Sequence, residues 1–286
     1  MILIADSGST KTDWALAEEN TKTAAGPVCT LLHTQGINPF HQPEETVRTI
    51  LRDELLPQLS SQDVTAVSFY GSGVRPELET YMENLLSEVL HVSGRVEARG
   101  DMLGAARALC GHNYGIASIL GTGANSCLYD GERIVGNTPA LGYILGDEGS
   151  GAVLGRRLVN GLYKGVLSKE LKGVFEDEMQ LTMAAVIDRV YRQPMANRFL
   201  ASLCLFIGRH IDDEQLQTFV VDNFRDFFRL NIAPYGRRDL PVSFVGSIAW
   251  HFRAQLAEAA GREGYIVGQV VQSPIDGLVR YALGQS

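Results

Sequence analysis

Ile2-Leu3-Ile4-Ala5-Asp6-Ser7-Gly8-Ser9-Thr10-Lys11-Thr12 opens the chain as an apolar run entering a polar, Gly-containing turn, and Trp14-Ala15-Leu16-Ala17 follows at once. Two short apolar runs joined by so tight a turn predict a strand hairpin. The pattern returns about 115 positions later, as Ile116-Ala117-Ser118-Ile119-Leu120, then Gly121-Thr122-Gly123-Ala124-Asn125, then Ser126-Cys127-Leu128-Tyr129. Both turns place a hydroxyl residue directly before a Gly. A repeated strand–turn–strand unit predicts two copies of one fold.

Working outward, apolar periodicity predicts helices over 44–59, 76–90, 101–109, 152–160, 179–191, 196–208, 213–231 and 248–260. Strands are expected at 64–70, 92–96, 132–135 and 240–245. Residues 278–283, after Ser273-Pro274-Ile275-Asp276-Gly277, read as a capped terminal helix whose Ala, Val and Leu positions suit docking back onto the first half. Hairpins followed by alternating helix and strand predict an α/β layered fold.

The 286 residues are 45% hydrophobic, enough for one large domain or two ordinary ones and too apolar for a disordered chain. A net charge of −8 with no basic run argues against nucleic acid and against an anionic membrane surface. No apolar run approaches the ~20 residues of a membrane span, and Asp6 interrupts any secretory signal. Cys29, Cys110, Cys127 and Cys204 have no paired spacing, which suits reduced thiols. A cytoplasmic protein is the expectation.

The Gly turns carry the chemistry. Without a Cβ in the way, backbone N–H groups can converge on an anion. Asp6 beside Ser7, Gly8, Ser9, Thr10, Lys11 and Thr12 suits a hydrated Mg²⁺ with phosphate oxygens; a plain hairpin with a capping Asp is the simpler alternative. Asp101, at the start of a helix, reads equally as an N-cap or as a general base. Gly146-Asp147-Glu148-Gly149-Ser150 sets two carboxylates between glycines, where they form no helical face and would sit naturally at a cleft. Asn38, in Gly36-Ile37-Asn38-Pro39, reads first as a turn. The six His show no ligand spacing.

Taken in order, these pieces resemble the sugar-kinase, Hsp70 and actin ATPase superfamily, and within it the BadF/BadG-type ATPases and eukaryotic-type N-acetylglucosamine kinases. Asp6-Ser7-Gly8-Ser9-Thr10-Lys11-Thr12 is similar to the first phosphate motif and Leu120-Gly121-Thr122-Gly123-Ala124-Asn125 to the second. Val245-Gly246-Ser247 matches the adenosine motif and Ser273-Pro274-Ile275-Asp276-Gly277-Leu278 the closing helix.

The resemblance implies two ribonuclease-H-like (actin-like ATPase) domains flanking a central cleft, 1–112 completed by 273–286, and 113–272. It implies ATP and Mg²⁺ between the phosphate turns, with Asp6 at the metal and closure of the domains during turnover. It also implies Asp101 as the base for a sugar 6-hydroxyl, and Asn38, Thr122 and Asp147 as contacts to an N-acetylhexosamine. A homodimer through the second domain would fit. Ser7, Ser9 and Ala124 depart from the commonest form of the motifs and bear on nucleotide affinity. The choice among glucosamine, N-acetylglucosamine and N-acetylmuramic acid stays open.

Three other functions fit these residues less well. An ATP-driven activator of 2-hydroxyacyl-CoA dehydratases would hold a [4Fe–4S] cluster, for which these dispersed cysteines are poorly spaced. A sugar-responsive repressor would need a helix-turn-helix before Ile2. A ribonuclease-H-type nuclease would leave the duplicated Gly turns unexplained.

Overall fold

A computed structural model of the chain describes residues 1–8, 10–18, 29–59 and 63–284. Ser9, one of the expected phosphate contacts, lies outside the described residues. The chain divides into two compact units. Unit 1 comprises Met1–Tyr114, Tyr129–Ile134 and Ser273–Ser286, and unit 2 comprises Gly115–Leu128 and Val135–Gln272.

In unit 1, β1 (Ile2–Ser7) turns into β2 (Lys11–Ala17), which pairs with β3 (Cys29–Gln35). A helical run follows, close to the expected 44–59: α1 (Glu44–Thr49), a π-helical segment Ile50–Leu55 and a 3₁₀ turn Leu56–Gln58. β4 (Ala66–Gly71), α2 (Pro76–Leu90), β5 (Val96–Gly100) and α3 (Asp101–Cys110) complete the layer. The sheet order is β3-β2-β1-β4-β5, with β1, β4 and β5 parallel and β2 and β3 antiparallel to their neighbours.

β1 is apolar from Ile2 to Ala5 because both of its faces are covered there. Leu3 and Ala5 join Trp14, Phe69 and the α2 residues Met82, Leu85 and Leu86 on one side. Ile4 joins Ala15, Tyr70, Ala108, Leu278 and Val279 on the other. The second cluster is closed by the C-terminal helix Ile275–Ala282, which packs on α3 and β1. Gly277 permits this, since a Cβ there would stand 2.4 Å from the Ala108 carbonyl.

In unit 2 the strands are β6 (Gly115–Leu120), β7 (Ala124–Tyr129), β8 (Ile134–Gly136), β9 (Val242–Val245) and β10 (Val267–Val271). Their order, β10-β9-β6-β7-β8, repeats that of unit 1 element for element, with β6, β9 and β10 again parallel. The duplicated fold expected from the two hairpins is present, as a mixed α/β architecture. The helices are α4 (Gly142–Leu145), α5 (Gly151–Tyr163), α6 (Lys169–Met179), α7 (Met183–Tyr191), α8 (Ala196–Ser202), α9 (Cys204–Arg209), α10 (Glu214–Phe227), α11 (Ser247–His251) and α12 (Arg253–Glu263). The runs expected at 196–208 and 248–260 are each two helices, broken at Leu203 and Phe252. Among the described residues, no helix is long and apolar enough to cross a membrane.

β5 lies displaced from its expected position, and β3, α6 and β10 have no counterpart among the expected elements. The strand expected at 92–96 lies at Val96–Gly100, where Glu97 is buried against Arg107 (3.1 Å) and reads in sequence as loop. β3 buries Thr34, which accepts from Trp14 Nε1 at 3.0 Å, and exposes Leu31. α6 buries only Leu171 and Phe175 among its charges. β10 carries an irregular register between Val267 and Val270.

Helices α5 and α8 meet at Gly155, where a Cβ would stand 1.9 Å from the Leu200 carbonyl. Backbone cannot yield as a side-chain tip can. Gly155→Ala should therefore lower stability by about 2–4 kcal/mol in urea unfolding, whereas Gly173→Ala, in open space on α6, should cost nothing.

Candidate active site

In unit 1 the functional residues collect where the parallel strands end. Ser7 pairs in register with Gly71, and Gly71 with Gly100, so β1, β4 and β5 stop together. Asp6 is thereby set at the end of β1, and Asp101 begins α3 directly after β5. The carboxyl end of a parallel sheet is the usual ligand-binding edge of such folds.

The first turn is tight: Gly8 N–H donates to the Lys11 carbonyl at 3.0 Å. The hydroxyls of Ser7 and Thr12 are buried and share a hydrogen bond of 2.7 Å. Ser7 Oγ also donates to the Ile37 carbonyl and accepts from Ile37 N–H, both at 2.9 Å, while Thr12 Oγ1 reaches the Gln35 carbonyl at 3.1 Å. These two hydroxyls hold the turn to the segment leading into Asn38. Among the described residues of the turn, Gly8, Thr10 and Lys11 are exposed.

Asn38 folds its side chain against Gly73. A Cβ on Gly73 would come 2.1 Å from Asn38 Oδ1, and Gly73 has φ +86. Asn38 Oδ1 accepts from Phe40 N–H at 3.1 Å, so the expected turn is present as well. Gly73→Ala should displace the amide and lower stability by about 1–3 kcal/mol in urea unfolding.

The Asp101 carboxylate lies close enough to oppose the ionisation of Asp6. Burial, then the Asp101 and Asp13 carboxylates, push Asp6 up to about 7, with Lys11 pulling weakly the other way. Burial raises Asp101 too, against the backbone N–H groups of Met102 and Asp101 itself. Asp13 was not singled out in the sequence. It is the cross-strand partner of Asp6, and its signal was its mirror position across the turn.

Unit 2 builds the second turn by the same logic with different partners. Gly121 N–H donates to the Gly123 carbonyl at 3.0 Å. The first N–H groups of α5, from Gly151 and Ala152, donate to the Gly121 and Thr122 carbonyls at 2.9 and 3.1 Å. Ser150 caps α5 through Val153 N–H at 3.2 Å. Gly246, at φ +123, lies so close to β6 that a Cβ would stand 2.4 Å from the Leu120 carbonyl; Ser247 then opens α11, exposed.

Asp147 is buried against the same turn. A Cβ on Gly123 would lie 3.1 Å from Asp147 Oδ2, and the carboxylate accepts from Ala124 N–H. Burial lifts it to about 6, and its neighbour Glu148 pushes the same way. Asp147 sits in the left-handed region at φ +56, rare for a residue with a side chain. Thus unit 1 brings Asp6, the first turn, Asn38 and Asp101 to one edge, and unit 2 brings Gly121, Thr122, Gly123, Asp147, Gly246 and Ser247 to another.

No family model and no curated protein matches the sequence. Solved structures do. A candidate N-acetylglucosamine kinase from Porphyromonas gingivalis is 46% identical over 99% of both chains, with a TM-score of 0.93. A candidate N-acetylglucosamine kinase from Chromobacterium violaceum, 19% identical over 98% of each chain (TM-score 0.61), shares the fold. So does a ROK family glucokinase from Streptomyces griseus, solved with glucose and AMPPNP, at 15% identity over 98% of each chain (TM-score 0.54). Near-identical geometry over the full length at that first level of identity settles the relationship: the chain belongs to the N-acetylglucosamine kinase-like family of actin-fold sugar kinases.

Proposed function

We propose that the protein transfers the γ-phosphoryl group of ATP to the 6-hydroxyl of an amino sugar, most simply N-acetylglucosamine. The observation that carries this reading is the desolvated Asp101 carboxylate at the head of α3, beside Asp6 at the end of a parallel strand. The names of the structures it resembles supply the sugar class.

In this reading Asp101 accepts the proton of the 6-hydroxyl as its oxygen attacks the γ-phosphorus. The bond from that phosphorus to the bridging oxygen breaks, ADP leaves, and Asp101 returns the proton to solvent. Asn38, Thr122 and Asp147 orient the sugar, and Asp147 accepts from its hydroxyls. The turn of Gly8, Ser9, Thr10 and Lys11, braced from within by Ser7 and Thr12, and the turn of Gly121 and Gly123 make up the phosphate site, and Gly246 and Ser247 the adenosine side.

Mg²⁺ fits the donors present. Asp6, Asp13 and Asp101 concentrate negative charge that Lys11 offsets only in part. Among the described residues no group of three or more His, Cys, Asp or Glu is arranged to hold a metal alone. A site of one or two carboxylates completed by phosphate and water is the habit of Mg²⁺, and Asp6 would hold it. When bound it neutralises charge on the phosphates. Cytoplasmic residence and a homodimer through unit 2 belong to the same proposal.

The test is a coupled ADP-release screen across glucosamine, N-acetylglucosamine and N-acetylmuramic acid, with and without Mg²⁺. Sugar-dependent, Mg²⁺-dependent release supports the reading, and ADP release indifferent to every amino sugar rejects it.

A further inference from the structure

The loop carrying Asp147 has little packing of its own. It exposes Leu141 (65%), Ile144 (70%) and Leu145 (76%), and it holds two residues with side chains, Leu141 and Asp147, at positive φ. Its internal bonds are few: Asp147 N–H to the Ala140 carbonyl at 2.9 Å and Gly146 N–H to Gly142 at 2.7 Å. Backbone strain of this kind persists only where surrounding contacts impose it.

Arg156 on α5 holds the middle of the loop, donating to the Tyr143 and Ile144 carbonyls at 2.7 and 3.4 Å, and one buried residue joins its two ends. Asn231 lies in the π-helical segment Phe228–Ile232 that continues α10, and is 4% exposed. Its Nδ2 donates to Glu148 Oε2 at 3.2 Å, after the strained Asp147. Its carbonyl accepts from Thr138 Oγ1 at 2.9 Å, at the loop's other end, and from Ser126 Oγ at 3.4 Å on β7. Tyr235, one turn on, repeats the grip: its hydroxyl accepts from Thr138 N–H at 3.0 Å and shares a 2.8 Å bond with Ser126 Oγ. π-Helical segments recur at functional sites.

We propose that Asn231 is a positioning residue for the sugar: it clamps Thr138 and Glu148 together and so holds the Asp147 loop in its binding shape before substrate arrives. The inference deepens the amino-sugar reading and rests on it for the identity of the ligand. The clamp itself rests on unit 2 alone.

The experiment compares the full-length protein with Asn231→Leu and with Thr138→Val, which removes one clamp bond and leaves the Asn231 side chain in place. Hydrogen exchange at the Gly146 and Asp147 amides should quicken at least tenfold in Asn231→Leu and less in Thr138→Val. In kinetics, the KM for N-acetylglucosamine should rise about tenfold, as for loss of a hydrogen bond, with the KM for ATP within about twofold of its starting value. Unchanged exchange in both variants overturns the clamp. So does an equal rise in both KM values, which marks general loosening. Should Asn231→Leu fail to fold, Thr138→Val decides by the same readings. If the unaltered protein releases no ADP with any amino sugar, the substrate reading fails, while the exchange rates still decide the clamp.

Discussion

Asp101→Asn is expected to lower kcat about 10²–10⁴-fold while the fold and ATP affinity persist. The side chain sits at the head of α3, where the Met102 N–H already donates to it, so an Asn keeps the shape and the capping acceptor. What it loses is the capacity to take a proton. Burial holds the native carboxyl above its ordinary range, closer to the working pH, where a general base is most effective. ATP binding can be followed by isothermal titration and turnover by ADP release. A kcat within about threefold of the parent would remove Asp101 from the mechanism and leave it as an acidic first-turn residue behind the N-cap Gly100.

The second large effect is expected at Asp147, in two measurements of opposite sign. Asp147→Asn should raise the KM for the sugar about 10–100-fold, because hydrogen bonds to a charged acceptor are worth more than those to an amide. The same change should stabilise the free protein. Burial raises the folded carboxyl to about 6 from 3.8, so between those values the folded chain holds a proton that the unfolded chain has lost. Stability contributed by this group is therefore present at low pH and lost as pH rises through about 6. Asn removes that loss: the gain should be on the order of 1–3 kcal/mol at pH 8 and near zero at pH 4. Likewise the parent's KM should climb as pH falls below about 6, and the variant's should stay flat. A variant with unchanged KM and an unchanged stability profile would show that the Asp147 carboxylate is neither desolvated nor in contact with sugar.

The legible parts of this chain were those in which backbone geometry follows from local composition. The hairpins about 8–10 and 121–123 could be read because apolar runs broken by Gly-containing polar turns have few other solutions. Asp6 and Asp101 stood out because a carboxylate at a strand's end or a helix's start has a short list of uses. Asp13, Gly73 and Asn231 did not stand out. Their importance comes from a cross-strand neighbour, from an amide that needs the space of a missing Cβ, and from a loop some ninety positions away in the chain. Likewise β5 was expected four residues too early because its inward residue, Glu97, is neutralised by Arg107 on α3, a pairing that no window of sequence contains.

Apolar spacing and turn chemistry were thus enough to specify a duplicated α/β fold with one glycine bend per copy, since both act over a few residues. Which carboxylates lose their water, which hydroxyls are consumed inside the turn, and how the Asp147 loop is held were matters of packing. Desolvation and hydrogen-bond partnership depend on the atoms that surround a group, and in this protein those atoms come from strands and helices far apart along the chain.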